Sequence, residues 1–136
     1  MSKLIYIDTN VYMDYFLGRK DRFLPLDEFA ATVFERARSC EFDILVSDWV
    51  LHELMKQDLS AEAARFFERF RAIRKIHDVV ADTADHAWAR VQPTHFSDAV
   101  HAALAIRHGA SCIVTSNIKD FSVFTNRIRC VSPRVL

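Results

Sequence analysis

The chain has 136 residues, 51% of them hydrophobic, and a formal net charge of zero. That is enough material for one compact domain over residues 1–136 with a substantial core, and too little positive charge for a protein that coats a nucleic-acid backbone. The zero conceals an asymmetry: residues 1–60 carry 7 Lys/Arg and 11 Asp/Glu, residues 61–136 carry 11 and 7, which leaves room for a basic rim around an acidic cleft.

With 11 Phe and only 2 Gly and 3 Pro, the chain should be dense in regular structure. No run approaches the roughly 18 uninterrupted apolar residues of a spanning helix, so no membrane association is expected. The N-terminus has no apolar segment or cleavage site of a signal peptide, and a cytoplasmic location is expected. Cys40, Cys112 and Cys130 are odd in number and far apart, which excludes a CxxC zinc site or a disulfide framework. All three read as small buried hydrophobes.

In chain order, Leu4–Ile7 is a short apolar strand that stops at Asp8. Val11 to Leu17 is helical and ends near Gly18, and Gly18–Arg22 (GRKDR) is a charged loop. Pro25 suits the first position of a second helix, with Phe29, Ala30, Val33, Phe34 and Ala37 on its apolar face. Phe42–Val46 reads as a strand, and Ser47 or Asp48 caps a helix bearing Val50, Leu51, Leu54 and Met55. Ser60 begins a helix with Ala63, Phe66, Phe67, Phe70 and Ile73 on one face and a solvated charged face opposite. Ile76–Ala81 reads as a strand, and Asp82 or Thr83 opens a helix to about Val91. Ser97 starts a nearly all-apolar helix to His108, stopped by Gly109. Cys112–Thr115 and Arg129–Val131 are the last strands. Strands alternating with helices predict an α/β fold, a parallel sheet covered on both faces.

In such a fold, ligands sit beyond the C-terminal ends of the strands, where helix N-termini also gather. Asp8 follows the first strand, Asn117 and Asp120 follow the strand ending at Thr115, and Asp98 lies in the first turn of the buried helix between. Glu53 sits early in a helix that also follows a strand. Carboxylates from distant parts of the chain meeting at one edge suit a hard cation such as Mg²⁺ or Mn²⁺. Each has an ordinary explanation as well: Asp98 as a helix-dipole partner, Glu53 as a surface helical acid, Asp120 as a turn residue, and Thr9 and Asn10 as caps. His95 and His101 read as structural or peripheral, and Trp49 and Trp88 as packing residues. Lys119, Arg107 and the GRKDR loop are ordinary surface charge or phosphate contacts. Two glycines cannot form a GxGxxG phosphate loop, and no GxSxG elbow is present.

Asp8-Thr9-Asn10 after the first strand, Ser47 and Glu53 opening a helix, Asp98 three residues before His101-Ala-Ala-Leu-Ala, and Thr115-Ser-Asn117-Ile-Lys-Asp120-Phe121 together resemble the PIN domain, in order and spacing, over essentially the whole chain. The size is similar to that of stand-alone VapC-type toxins. The resemblance implies a three-layer α/β/α sandwich with a central parallel sheet, and a Mg²⁺- or Mn²⁺-dependent ribonuclease. It assigns Asp8, Glu53 and Asp98 to the catalytic acidic core, and those three with Asn117 and Asp120 to the metal. Asn117 stands where the family often has Asp and offers a neutral carbonyl oxygen. Thr9, Asn10, Ser47, Thr115 and Lys119 become supporting or RNA-contacting residues. Expected partners are the RNA substrate, an antitoxin protein and a second copy in a homodimer. Three alternatives stand beside this: an RNA-processing nuclease without antitoxin, a degenerate module that binds RNA or protein without catalysis, and a DNA or flap nuclease.

Overall fold

The computed structural model describes residues 3–136; Met1 and Ser2, the first two residues of the expected domain, lie outside the described residues. Five parallel strands form one sheet in the order β3-β2-β1-β4-β5. They are β1 (Leu4–Ile7), β2 (Asp43–Ser47), β3 (Ile76–Val79), β4 (Cys112–Val114) and β5 (Arg129–Val131). Central β1 pairs with β2 (Ile5 opposite Ile44) and with β4 (Ile5 opposite Cys112). Ile5, Tyr6 and Ile7 are all buried, as a strand covered on both faces requires.

The chain leaves β1 through α1 (Thr9–Leu17) and α2 (Leu26–Arg38) to β2, then through α3 (Asp48–Lys56) and α4 (Ser60–Ala72) to β3. It returns through α5 (Thr83–Arg90) and α6 (Phe96–Arg107) to β4 on the opposite side of β1. Right-handed crossovers running in opposite directions put the first four helices on one face and the last two on the other, which gives the expected α/β/α layering. The reversal makes the gap between the C-terminal ends of β1 and β4 a topological switch point, where α/β sheets bind ligands.

Local chemistry explains the element ends. The Ser47 hydroxyl accepts from Val50 N–H at 3.2 Å and caps α3. Asp82 and Asp85 form a reciprocal capping box on α5. Gly18 closes α1 in the left-handed region at φ 61°, its N–H bonded to Asp14 O. The core is rich in rings: fully buried Tyr12 packs against Phe34 and Phe67, with centroids 5.3 and 5.2 Å away.

Several expectations shift. The strand expected at Phe42–Val46 is Asp43–Ser47, because the ladder begins with Asp43 N–H on Lys3 O. The strand expected to reach Ala81 ends at Val79, because Ala81 N–H turns to the Asp48 carboxylate at 2.8 Å. Pro25 is the residue before α2 rather than its first, and α6 begins at Phe96 rather than Ser97. A 3₁₀ helix over Ile118–Phe124 was not foreseen; its buried Phe121 and Phe124 stand three apart, the 3₁₀ repeat. Of the cysteines only Cys112 is buried, Cys130 is half-buried, and Cys40 is exposed at φ 66° in a tight turn after α2. Among the described residues no helix is long and apolar enough to cross a membrane.

Candidate functional site

Asp8 stands at the switch point. Its N–H donates to Val114 O at 2.9 Å, so the β1–β4 ladder fixes its backbone. Its carboxylate is 3% exposed and accepts from the Thr115 hydroxyl at 2.8 Å. Thr115 in turn accepts from Asn117 N–H at 3.0 Å, so the turn after β4 is tied to the acid after β1.

Glu53 reaches the same place from α3. Its Oε1 accepts from the Thr9 hydroxyl at 2.6 Å and from His101 Nε2 at 2.5 Å, and its Oε2 accepts from the Ser97 hydroxyl. A carboxylate only accepts, so Nε2 carries the proton. On the other side of the imidazole, Nδ1 meets Tyr6 OH, which meets the capping hydroxyl of Ser47 at 2.8 Å. His101 Nε2 also lies 3.6 Å from the Asp8 carboxylate.

The electrostatics divide the acids. Burial pushes the Asp8 carboxyl up, against the partial relief of His101 and Thr115. Burial, then the charges of Asp8 and Asp120, push Asp98 up to about 6. Burial also opposes ionisation of Glu53, but the bond and charge of His101 and the Ser97 and Thr9 hydroxyls outweigh it and hold Glu53 at about 2. For His101, burial favours the neutral ring; the Glu53 bond and the charges of Asp8, Glu53 and Asp98 overcome it and raise its pKa. The centre is therefore a buried imidazole ring that donates to Glu53, beside two carboxyl groups whose charge burial opposes.

Asp8, Thr9, Asn10, Glu53, Ser97 and Asp98 line one cleft, with Lys56 at its rim. Asn117 lines the adjoining depression with Asn10, Asp14, Arg19, Lys20 and Ser116. Asp120 faces the group from the 3₁₀ helix and acts on Asp98 through its charge; its carbonyl accepts from Thr94. Lys119 is exposed on the same helix. Among the described residues, no three His, Cys, Asp or Glu side chains converge into a ready-made metal cage. The donor chemistry nevertheless fits a hydrated hard cation, which takes one or two carboxylates and keeps several waters. Asp8 and Asp98 are suited to that role, because a cation relieves the burial and repulsion that oppose their charge.

Sequence reasoning read His101 as structural or peripheral; the structure makes it a buried brace, 1% exposed, bonded to Glu53 and Tyr6 rather than peripheral. Two signals were present. His101 lies three residues after Asp98, on the same helical face, and a histidine in an otherwise apolar buried helix needs polar partners. Tyr6, two residues before Asp8 and so on the same side of the strand, belonged to the same pattern.

The profile described as PIN domain matches residues 5–119. Among solved structures, a chain of VapBC2 from Rickettsia felis, in a complex bound to a DNA fragment from their promoter, is 17% identical. It aligns over 95% of this chain and 98% of that chain with a TM-score of 0.64. A chain of a toxin-antitoxin complex from Klebsiella pneumoniae is 18% identical over 95% of this chain and 97% of that chain, with a TM-score of 0.63. At these identities the likeness is one of fold. No curated protein matches the chain.

Proposed function

The chain belongs to the PIN domain family, and on that footing we propose that it is a divalent-metal-dependent endoribonuclease, the toxin of a toxin–antitoxin pair. One observation carries the reading. Two carboxyl groups, buried Asp8 and half-buried Asp98, share a cleft at the switch point of the sheet; burial opposes the charge of both, and the charge of Asp8 further opposes that of Asp98. Acids arranged at such a cost to stability suit a cation, here Mg²⁺ or Mn²⁺. PIN domains typically use divalent metals, and both the toxin role and the antitoxin partner take support from the two structural neighbours.

In this reading Asp8 and Asp98 hold the cation. When bound, such a cation acidifies water and offsets the charge that builds on the phosphate. Thr115 fixes the Asp8 carboxylate through its 2.8 Å bond. Glu53 supplies negative charge and orients Thr9, Ser97 and His101; its Oε2, which accepts only from Ser97, keeps a lone pair with which it would serve as a third ligand. Asn117 and Asp120 complete the site from the β4 side. Ser47 buttresses His101 through Tyr6, and Asn10 and Lys119 lie where the RNA chain would enter or leave. A second copy forms the homodimer.

The amide of Asn117 favours a second reading, a non-catalytic module that binds RNA or protein; metal binding without turnover would identify it. The test is cleavage of single-stranded RNA and matched DNA by the full chain with Mg²⁺ or Mn²⁺. Asp8→Ala and Asp98→Ala should lose about 100-fold or more in rate, the scale of several kcal/mol of transition-state stabilisation, with unchanged circular dichroism. Cleavage by metal-free Asp8→Ala at the wild-type rate would sink the proposal.

A further inference from the structure

Beside the acidic cleft, four rings and one guanidinium meet near the surface. The Trp49 ring lies 5.3 Å from His52, 5.5 Å from His86 and 5.9 Å from Phe96, measured between centroids. His86 and Phe96 are 5.6 Å apart, and the Arg90 guanidinium lies 5.8 Å over the Phe96 ring. Phe96 is 36% exposed, His52 and Arg90 are exposed, and Trp49 and His86 are half-buried. A core cluster would hide its rings and exclude its charges; this one presents both.

The cluster is continuous with the cleft. Trp49 lies one turn before Glu53 on α3, and Phe96 lies two residues before Asp98 on α6. Trp49 Nε1 donates to the Ser97 hydroxyl at 3.0 Å, and Ser97 donates to Glu53. Arg90 is the formal cation at the rings, beside the imidazoles of His52, His86 and, before Phe96, His95. The acid on the same turn of α3, Asp48, is turned to the Ala81 amide. None of these rings has a part in holding the cation.

Aromatic rings beside a guanidinium suit a nucleobase with its phosphate. Unpaired bases stack on such rings with little regard to sequence, whereas bases inside a duplex are already stacked on one another. We infer that the Trp49–Phe96 cluster, rimmed by His52, His86 and Arg90, is a stacking platform outside the acidic cleft for an unpaired base adjoining the cleaved bond. This rests on the ribonuclease reading and adds a base-binding subsite to it.

The test uses the full chain carrying Asp98→Asn, to stop turnover, and Trp88→Phe, so that Trp49 is the sole tryptophan. A single-stranded adenosine hexaribonucleotide should quench Trp49 fluorescence. Phe96→Ala should weaken its binding about fivefold or more, the lower end of what one stacked base contributes, and Phe96→Tyr should restore it. Equal binding of an abasic oligomer of the same length, equal quenching by an RNA duplex, or unchanged affinity in Phe96→Ala would overturn the platform. So would sedimentation showing that Phe96→Ala splits a dimer, which would make the cluster a contact between copies. Cleavage by the wild-type chain is measured separately: its absence overturns the ribonuclease reading, whereas cleavage without base-dependent quenching overturns the platform alone.

Discussion

At neutral pH Asp98 ionises against burial and against the charges of Asp8 and Asp120. Its folded pKa, about 6, lies above the ordinary 3.8, so the stability it contributes is full below about pH 3.8 and is lost as pH rises through about 6. Glu53 has the opposite sign: held at about 2, it stabilises above its ordinary 4.5, and that contribution is lost as pH falls through about 2. The metal-free Asp98→Asn protein should therefore melt above wild type at pH 7.5, with the gap shrinking toward pH 4; scanning calorimetry across that range checks it. His101 is the other decisive residue. His101→Ala leaves Glu53 and Tyr6 without their shared ring, and losing a hydrogen bond to a charged group costs about 1.5–3 kcal/mol. The lower end applies, since Glu53 keeps its Thr9 and Ser97 bonds and its side chain is 27% exposed. Urea denaturation at pH 7 should show the loss, and an unchanged midpoint would refute the bracing role.

At the scale of elements, helix starts deliver the chemistry. α1 begins one residue after Asp8, α3 begins one residue after Ser47, and α6 brings Ser97, Asp98 and His101 to the same edge in little more than a turn. The caps were legible to within one residue, as Ser47 or Asp48 and Asp82 or Thr83 before apolar periodic runs, and the structure settles on Ser47 and Asp82. Asp82→Ala removes a capping box and should cost about 1 kcal/mol, with the urea slope unchanged. Phe67→Ala empties a site against Tyr12 and should cost about 3–5 kcal/mol by the same measurement. The 3₁₀ helix was not legible, because a three-residue repeat over seven residues is too short to stand out from a polar turn.

For the whole molecule, the order of strands matters more than any one of them. Because β4 returns beside β1 rather than beyond β3, Asp8 and the Thr115–Asn117 turn become neighbours although 107 residues separate Asp8 from Thr115. A cation that binds only the folded chain must stabilise it. Mn²⁺ should therefore raise the melting temperature, more at pH 7.5 than at pH 5, where Asp98 is mostly protonated. EDTA should reverse the shift and abolish cleavage. An equal shift for Asp8→Ala would place the bound ion elsewhere.

Apolar periodicity and cap residues determined by themselves the alternation of strands and helices, and the ordered acids Asp8, Glu53 and Asp98 with the turn after Thr115 pointed to the PIN domain. These are local signals, carried within a strand or a helical turn. Which acid is braced and which is strained was decided only by tertiary structure. Glu53 and Asp98 look alike as acids in early helix turns, yet Glu53 meets an imidazole N–H and two hydroxyls while Asp98 meets the charges of two carboxylates. That difference depends on a ring 48 residues from Glu53 and on a tyrosine 95 residues from that ring, and on the packing of α6 against the edge of the sheet that brings them together.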